Sequence, residues 1–541
     1  MEILSQWITG PGNEANPWLT AASTPLTALA PPLLTQFQET LARREAFIRQ
    51  HIDRKRLAQD LRQSNQRRGA PESVLKQIDR LAEPEVYLVV AGQQPGLMGG
   101  PLYTLYKIIH AIVLSHRLTA ETDKLHLPAF WNASEDHDFT EISQLGWLSK
   151  ENRFETFAWE MKRKDRPYYR IPARECPLEG ILDFIRRHSH PTEFMEAMLE
   201  RIHLAHARAE SYPDFFDALL WDLFEQEGLI ILRPDDRVLR DAAVPHLREE
   251  LLQARLTAAE INAAGKQLEE MNLPSPIHKR ADRTSFFLIQ DGVRLAIYGE
   301  EQAFHDNQGR TYSTPEMLDL LESDPTAFSP SAVLRPVIQD AVLPVSAVIL
   351  GPNELAYHFL LHPVYQRHGV PRPCVVPRFG CTAIEARFYK WMERYELSPG
   401  DLTGDPAARI KELVRKASGE EGTALRNAAT EQVNAYFTHL QNRAQHADAG
   451  MLPALEKNRF RMLKELEGAE NLVLRREADR QEVLRNQVEA LHAALFPKSQ
   501  LQERCFNIFY YLVKYGPAFL NDLKEIAAAF MPGSHYFIKV P

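Results

Sequence analysis

Glu135-Asp136-His137-Asp138 crowds three carboxylates against one imidazole in four consecutive residues. Like charges that close raise some proton affinities, which suits a general base working near neutral pH. The same oxygens could hold Mg²⁺, and His137 a transition metal. Acids at a helix start can also do no more than stabilise its dipole. Lys107, Arg335 and Arg378 fall at strand–loop junctions. A cation there could neutralise charge developing in a transition state, or form only a surface ion pair. Asn353 and Glu354 follow an apolar run and could read a ribose or sugar hydroxyl. The last candidate is the loop Gly92-Gln93-Gln94-Pro95-Gly96-Leu97-Met98-Gly99-Gly100-Pro101. Its glycines and the helix start beyond Pro101 could turn backbone N–H groups toward a phosphate or carboxylate. Glycine serves ligand-free tight turns equally well, and the spacing is neither G-x-G-x-x-G nor a P-loop.

The elements that must position these residues follow from hydropathy. Residues 86–91 form a short, apolar, β-branched run, and the apolar residues from Leu102 to Val113 recur at helical spacing. Further apolar runs at 125–131, 228–232, 345–350 and 374–377 alternate with helical spans. That alternation predicts an α/β fold with a doubly wound parallel sheet, Rossmann-like in layout, with ligands beyond the carboxyl ends of the strands. All the polar loops named above fall at that end. Residues 139–211 and 245–325 read as insertions, the second with a hairpin at Asp291-Gly292. Residues 1–35 read as an extended arm, and 33–82 as polar helices. There Arg43, Arg44, Arg49, Arg54, Lys55 and Arg56 suggest a solvated face. In 395–497, Leu455, Arg459, Met462, Leu466, Ala469 and Val473 alternate steps of four and three. Leu484, Val488, Leu491 and Leu495 do much the same, predicting an antiparallel coiled-coil arm able to pair two subunits. Residues 498–541 turn aromatic again and are expected to return to the core of residues 1–394.

Composition narrows the function classes. At 541 residues the chain exceeds one ordinary domain, and 44% hydrophobic with 25% charged residues is a soluble globular balance. The formal net charge of −9 argues against a nucleic-acid backbone binder. Four scattered cysteines form no C-x-x-C, so no thiolate metal site is expected. No apolar run approaches the ~20 residues of a membrane span and no secretory signal is visible, so the expected setting is the cytoplasm.

The segments Gly92–Lys107 and Phe130–Phe139 resemble the first two signatures of the cysteine-adding enzyme family of bacillithiol biosynthesis. Phe328-Ser329-Pro330, Leu334-Arg335-Pro336, Gln339-Asp340 and Gly351–Tyr357 resemble the third, and Gln502-Glu503-Arg504 with Lys514–Pro517 fit as well. Departures are Asn132-Ala133-Ser134 and Asn353. The resemblance implies a Rossmann-like core with two connecting insertions, laid out as in class I aminoacyl-tRNA synthetases, plus a subunit-pairing coiled coil. It also implies addition of cysteine to glucosaminyl-malate. The His-x-Gly-His element of those synthetases is missing from this sequence.

Amide formation from a free carboxylate is uphill in water, so ATP is the suspected energy source, with Mg²⁺ possible. Asp136, His137, Asp138 and Lys107 form the candidate catalytic set. Candidate binding residues are Gly92, Gln93, Gln94, Gly96, Gly99, Gly100 and Tyr103 from the first signature. Trp131, Asn132 and Glu135 come from the second, and Arg335, Asn353, Glu354 and Arg378 from the later loops. The alternatives are a metal-dependent hydrolase on the acidic cluster and a nucleotide-binding coiled-coil scaffold.

Overall fold

The computed structural model describes residues 1–7, 18, 28–161, 165–300, 303–417, 420–480 and 482–541. Most of the arm expected over 1–35 lies outside these residues. The chain divides into two compact units: Met1–Thr382 with Glu503–Ile538, and Ala383–Gln502 with Lys539–Pro541.

The first unit is built on a parallel sheet. In chain order its elements are β1 (Val86–Gln93), α1 (Leu102–Glu121), β2 (Leu125–Asn132) and β3 (Ile230–Leu232). An antiparallel hairpin follows, β4 (Arg283–Gln290) and β5 (Val293–Gly299). Then come α2 (Arg335–Val342), β6 (Val345–Leu350), α3 (Pro352–His358) and β7 (Cys374–Pro377). The parallel order is β7-β6-β1-β2-β3. Registers such as Val90↔Ala129 and Val348↔Val90 bring the ends of β1, β2 and β6 to one rim. Both faces of the sheet are covered, which is why β1 is a continuous apolar run and Leu88, Val89 and Ala91 are fully buried. One polar pair inside is satisfied across the sheet: His126 Nδ1 lies 2.9 Å from Ser346 Oγ, which donates to Leu88 O.

Two features of the insertions matter for the rim. The Asp291-Gly292 turn has positive φ at both residues and joins β4 to β5, as the dipeptide predicts. The hairpin is part of a five-stranded antiparallel sheet that ends on Phe328–Pro330, at the return to the core. The polar helices before β1 correct one expectation. Arg44 is not on a solvated face: it is fully buried and donates to the carbonyls of Asp340, Leu343, Val345 and Pro371 at 2.7–3.0 Å. A guanidinium can do this because its five donors fan out in one plane.

The second unit is helical. Glu420–Ala447 and Leu452–Arg480 are 28 and 29 residues long and are joined by a turn in which Asp448 caps Gly450. Pro453 does not break the second helix, because it sits in the first turn where its missing N–H costs nothing. Val488, Leu491 and Leu495 of the expected seam are buried, whereas Met462 and Val473 are exposed, beside exposed Tyr436, Phe460 and Leu472. No described helix is long and apolar enough to cross a membrane.

Candidate active site

A cavity of about 990 Å³ opens at the carboxyl rim of the parallel sheet, within the first unit. Its wall includes Gly92, Gln93 and Gln94 from the end of β1 and Trp131 from the end of β2. Glu135, Asp136, His137 and Asp138 follow, then Arg335, Asn353, Glu354 and Arg378 from the later loops, with Tyr103 and Lys107 on α1. Residues scattered over almost 290 positions of sequence therefore meet in one place.

Gly96, Gly99, Gly100 and Asn132 do not line it. The Gly96–Gly100 segment folds away from the cavity as a structural turn. Asn507 Nδ2 approaches the carbonyls of Leu97, Met98 and Gly100 at 2.9–3.1 Å, and the Leu102 N–H at the start of α1 donates to Phe506 O. The loop's carbonyls and the helix start are thus spent on protein partners, not on an anion. Glycine is required for packing: a Cβ on Gly96 would stand 2.6 Å from Gly100 Cα, and Gly100 has φ +78°. Asn132 is fully buried and donates to Asp217 Oδ1 at 2.7 Å.

Lys107 lines the cavity but is not a free cation. Its ammonium donates to Gly92 O (2.8 Å) and Gln93 Oε1 (2.9 Å) and pairs with Glu354 Oε2 (2.5 Å), using all three N–H groups. Burial lowers its pKa, and Glu354 opposes that shift. Glu354 Oε2 also accepts from the Gly351 N–H at 2.7 Å, closing the first turn of α3. Lys107 therefore fixes Gln93 and Glu354 in place and does not reach for charge on a ligand. Arg378 is held in the same way, by a buried pair with Glu503 and a bond to Phe379 O (2.9 Å).

The acidic cluster is likewise divided among protein partners. Glu135 is buried against Arg240. Asp138 caps the next helical turn by accepting from Thr140 N at 3.2 Å. Asp136 accepts from Arg294 Nη1 (3.0 Å), the His137 N–H (2.8 Å) and Gln94 Nε2 (3.2 Å). Burial alone would raise the Asp136 pKa. The hydrogen bonds with His137 and the Arg294 charge outweigh it and hold the carboxylate well below its usual range. This corrects the expectation of a raised proton affinity: Asp136 stays ionised and is a poor base. Among the described residues no group of three or more His, Cys, Asp or Glu is arranged to hold a metal.

His137 Nδ1 lies 3.3 Å from Arg294 Nη1 and 3.5 Å from Asp136 Oδ1. The two contacts favour opposite tautomers, since arginine can only donate and the carboxylate can only accept. With Nδ1–H turned to Asp136, Nε2 carries the lone pair a base needs.

Three cations on this wall escape sequence reading. Arg294 on β5 is buried and also binds Ser329 Oγ (3.0 Å) and Pro330 O (3.1 Å), its guanidinium 3.8 Å above the Phe287 ring. Lys279 donates to Thr284 O (3.0 Å) and Ser285 Oγ (2.5 Å), and burial pushes its pKa down to about 8. Arg504 is exposed, 6.0 Å from the Tyr103 ring, with Arg378 at 5.8 Å from the same ring. Desolvation raises the Tyr103 phenol to about 12. The one signal available was a lone arginine between apolar residues of an inward-facing strand, Val293-Arg294-Leu295. Among the described residues Lys279, Arg335 and Arg504 line this cavity with no carboxylate within 4 Å.

A Rossmann-like sheet with a charged cavity at its carboxyl rim, followed by a separate helical unit, defines an α/β ligand-binding enzyme class. Comparison with known proteins makes the assignment specific. Residues 25–379 match the family model for the bacillithiol biosynthesis BshC N-terminal Rossmann-like domain. Residues 381–540 match the C-terminal coiled-coil domain of the same family. The chain belongs to the BshC family of bacillithiol biosynthesis. It is 32% identical over 485 residues to a protein of Salinibacter ruber, covering 89% of this chain and 88% of the relative. A relative from Heliobacterium modesticaldum is 33% identical over 84% of each chain, and one from Koribacter versatilis 30% over 94% of each. Each of the three bears the name "Putative cysteine ligase BshC".

Proposed function

We propose that the chain is a carbon–nitrogen ligase joining the carboxylate of L-cysteine to the amine of glucosaminyl-malate, giving bacillithiol. The observation that carries this reading is the pairing, on one wall, of an acid–base group with cations that have no carboxylate within 4 Å among the described residues. His137 is oriented by Asp136 and Arg294, while Lys279, Arg335 and Arg504 offer charge to reactants that bear several carboxylates. The cavity has room for an amino acid beside an amino sugar. The names of the relatives point the same way.

In this reading His137 Nε2 takes the proton from the attacking amine, and the ionised Asp136 stabilises the imidazolium that forms. Arg335, 6.0 Å from the Trp131 ring and bound to Gln339 Oε1 (3.0 Å), balances negative charge at the acyl centre. ATP would supply the activation that makes the cysteine carboxylate a competent acyl donor. Asp138 and Glu141, wall carboxylates with no arginine partner among the described residues, are the oxygen ligands that a nucleotide's Mg²⁺ would meet. The exposed apolar residues of the helical unit support pairing of two copies through that unit. A cytoplasmic site of action completes the reading.

The test is direct. Purified protein is mixed with cysteine, glucosaminyl-malate and ATP, and the products are read by mass spectrometry. The expected result is bacillithiol formed only when both substrates are present, with AMP or ADP identifying the energy source. No product under any nucleotide condition refutes the ligase reading.

A further inference from the structure

Lys279 lies outside every sequence motif that carried the functional reading, on the segment between the helix Leu256–Glu270 and β4. Its ammonium has three N–H groups and, among the described residues, two acceptors, both neutral: Thr284 O and Ser285 Oγ. An ammonium drawn out of water with only neutral hydrogen-bond acceptors and one N–H left over favours binding an anion. A second group lines the same cavity. The Ser331 hydroxyl is buried with no hydrogen-bond partner among the described residues, and it too lines the cavity. Both residues are anchored on Ser285: Lys279 on its hydroxyl, and the Ser331 N–H on its carbonyl at 2.7 Å. Ser285 is two residues, about 7 Å along the strand, from Phe287, on whose ring Arg294 stacks.

We propose that Lys279 and the Ser331 hydroxyl form a carboxylate subsite that holds the malate arm of the acceptor, and that Lys279 is the residue selecting that acceptor. The proposal rests on the ligase reading above. The acceptor, not cysteine, is assigned here because a carboxylate held by an ammonium is a poor acyl centre, whereas one remote from the reacting amine can stay bound throughout. Lys279 and Arg294 both belong to the 245–325 insertion, so acceptor choice and acid–base orientation draw on the same inserted element.

The test uses the full chain with Lys279→Met and, as a gentler change, Ser331→Ala. For Lys279→Met, kcat/KM for glucosaminyl-malate relative to methyl glucosaminide, which lacks the malate, is expected to fall about 10- to 100-fold, the scale of one charged hydrogen bond. KM for cysteine is expected to stay put. Ser331→Ala moves the same ratio in the same direction by about 3- to 10-fold. Lys279→Arg, which keeps the charge, restores part of the loss. An unchanged acceptor ratio in both variants, or a rise in the KM for cysteine or nucleotide instead, overturns the subsite. Should the wild type make no product, the ligase reading fails separately. Calorimetry with L-malate then decides the subsite: malate binding by the wild type, lost in Lys279→Met, upholds it, and malate binding that survives the substitution, or its absence from the wild type, overturns it.

Discussion

Replacing Arg294 with alanine removes one side chain that touches four neighbouring residues. Its guanidinium bonds Asp136 and Ser329 Oγ at 3.0 Å and Pro330 O at 3.1 Å, and lies 3.3 Å from His137 Nδ1. Breaking a buried ion pair from one side costs about 3–5 kcal/mol. The Asp136 side chain keeps 29% of its exposure, so solvent screening brings the expected loss to about 2–3 kcal/mol. The effect on chemistry should be larger than that on folding. Without Arg294, burial acts on Asp136 with less opposition and its pKa rises toward the ordinary carboxylate range. The imidazole loses a fixed neighbour, and a misplaced acid–base group forfeits about 10²–10⁴ in rate. Turnover in Arg294→Ala is therefore expected to fall at least about 100-fold. Arg294→Lys, which keeps a charge but not the planar fork, should fall between. Initial rates by mass spectrometry across pH 5–9, beside thermal melts, separate the two effects. A variant that melts earlier yet turns over within about 3-fold of wild type refutes the argument that Arg294 orients the Asp136–His137 pair.

Other predictions follow from the same geometry. Asn507→Ala should lower stability by about 2–3 kcal/mol, because its two amide N–H groups are shared over the carbonyls of Leu97, Met98 and Gly100 in the Gly96–Gly100 turn, with substrate KM values unchanged. A raised KM at full stability would return that loop to the binding site. Lys279, pushed down to about 8 by burial with Arg283 adding and Glu250 opposing, is charged below that pH and neutral above it. Acceptor KM should therefore rise as pH climbs past about 8 and level off in Lys279→Arg. Burial lowers His110 to about 3 and His126 and His246 to about 4. Below an unfolded pKa near 6.5 the unfolded chain binds protons that the folded chain refuses, so stability falls with acidification. Each histidine contributes up to about 1.4 kcal/mol per pH unit down to its folded pKa, and the urea midpoint should drop steadily from pH 6.5 to 4.

The parallel sheet was legible because strands buried on both faces must be apolar throughout, and Val86–Ala91 and Val345–Leu350 are. The hairpin was legible because Asp291-Gly292 admits the positive φ its turn requires. Much of the cavity wall was legible too, since ligands collect where parallel strands end. Function of single residues was not. Lys107 and Arg378 look like free cations in sequence, and only the fold brings Glu354 and Glu503 against them. Glycine density cannot separate an anion cradle from a close-packed turn, because the deciding partner, Asn507, lies some 400 positions away. Arg294 and Lys279 sit in an insertion whose course back to the rim is a tertiary fact with no local signal.

A crystal structure of the full chain soaked with glucosaminyl-malate and cysteine tests the central claim most directly. Both are expected in the cavity, the acceptor amine within about 3 Å of His137 Nε2 and a malate carboxylate on Lys279. Density for either substrate elsewhere on the molecule, with the cavity filled only by solvent, contradicts it.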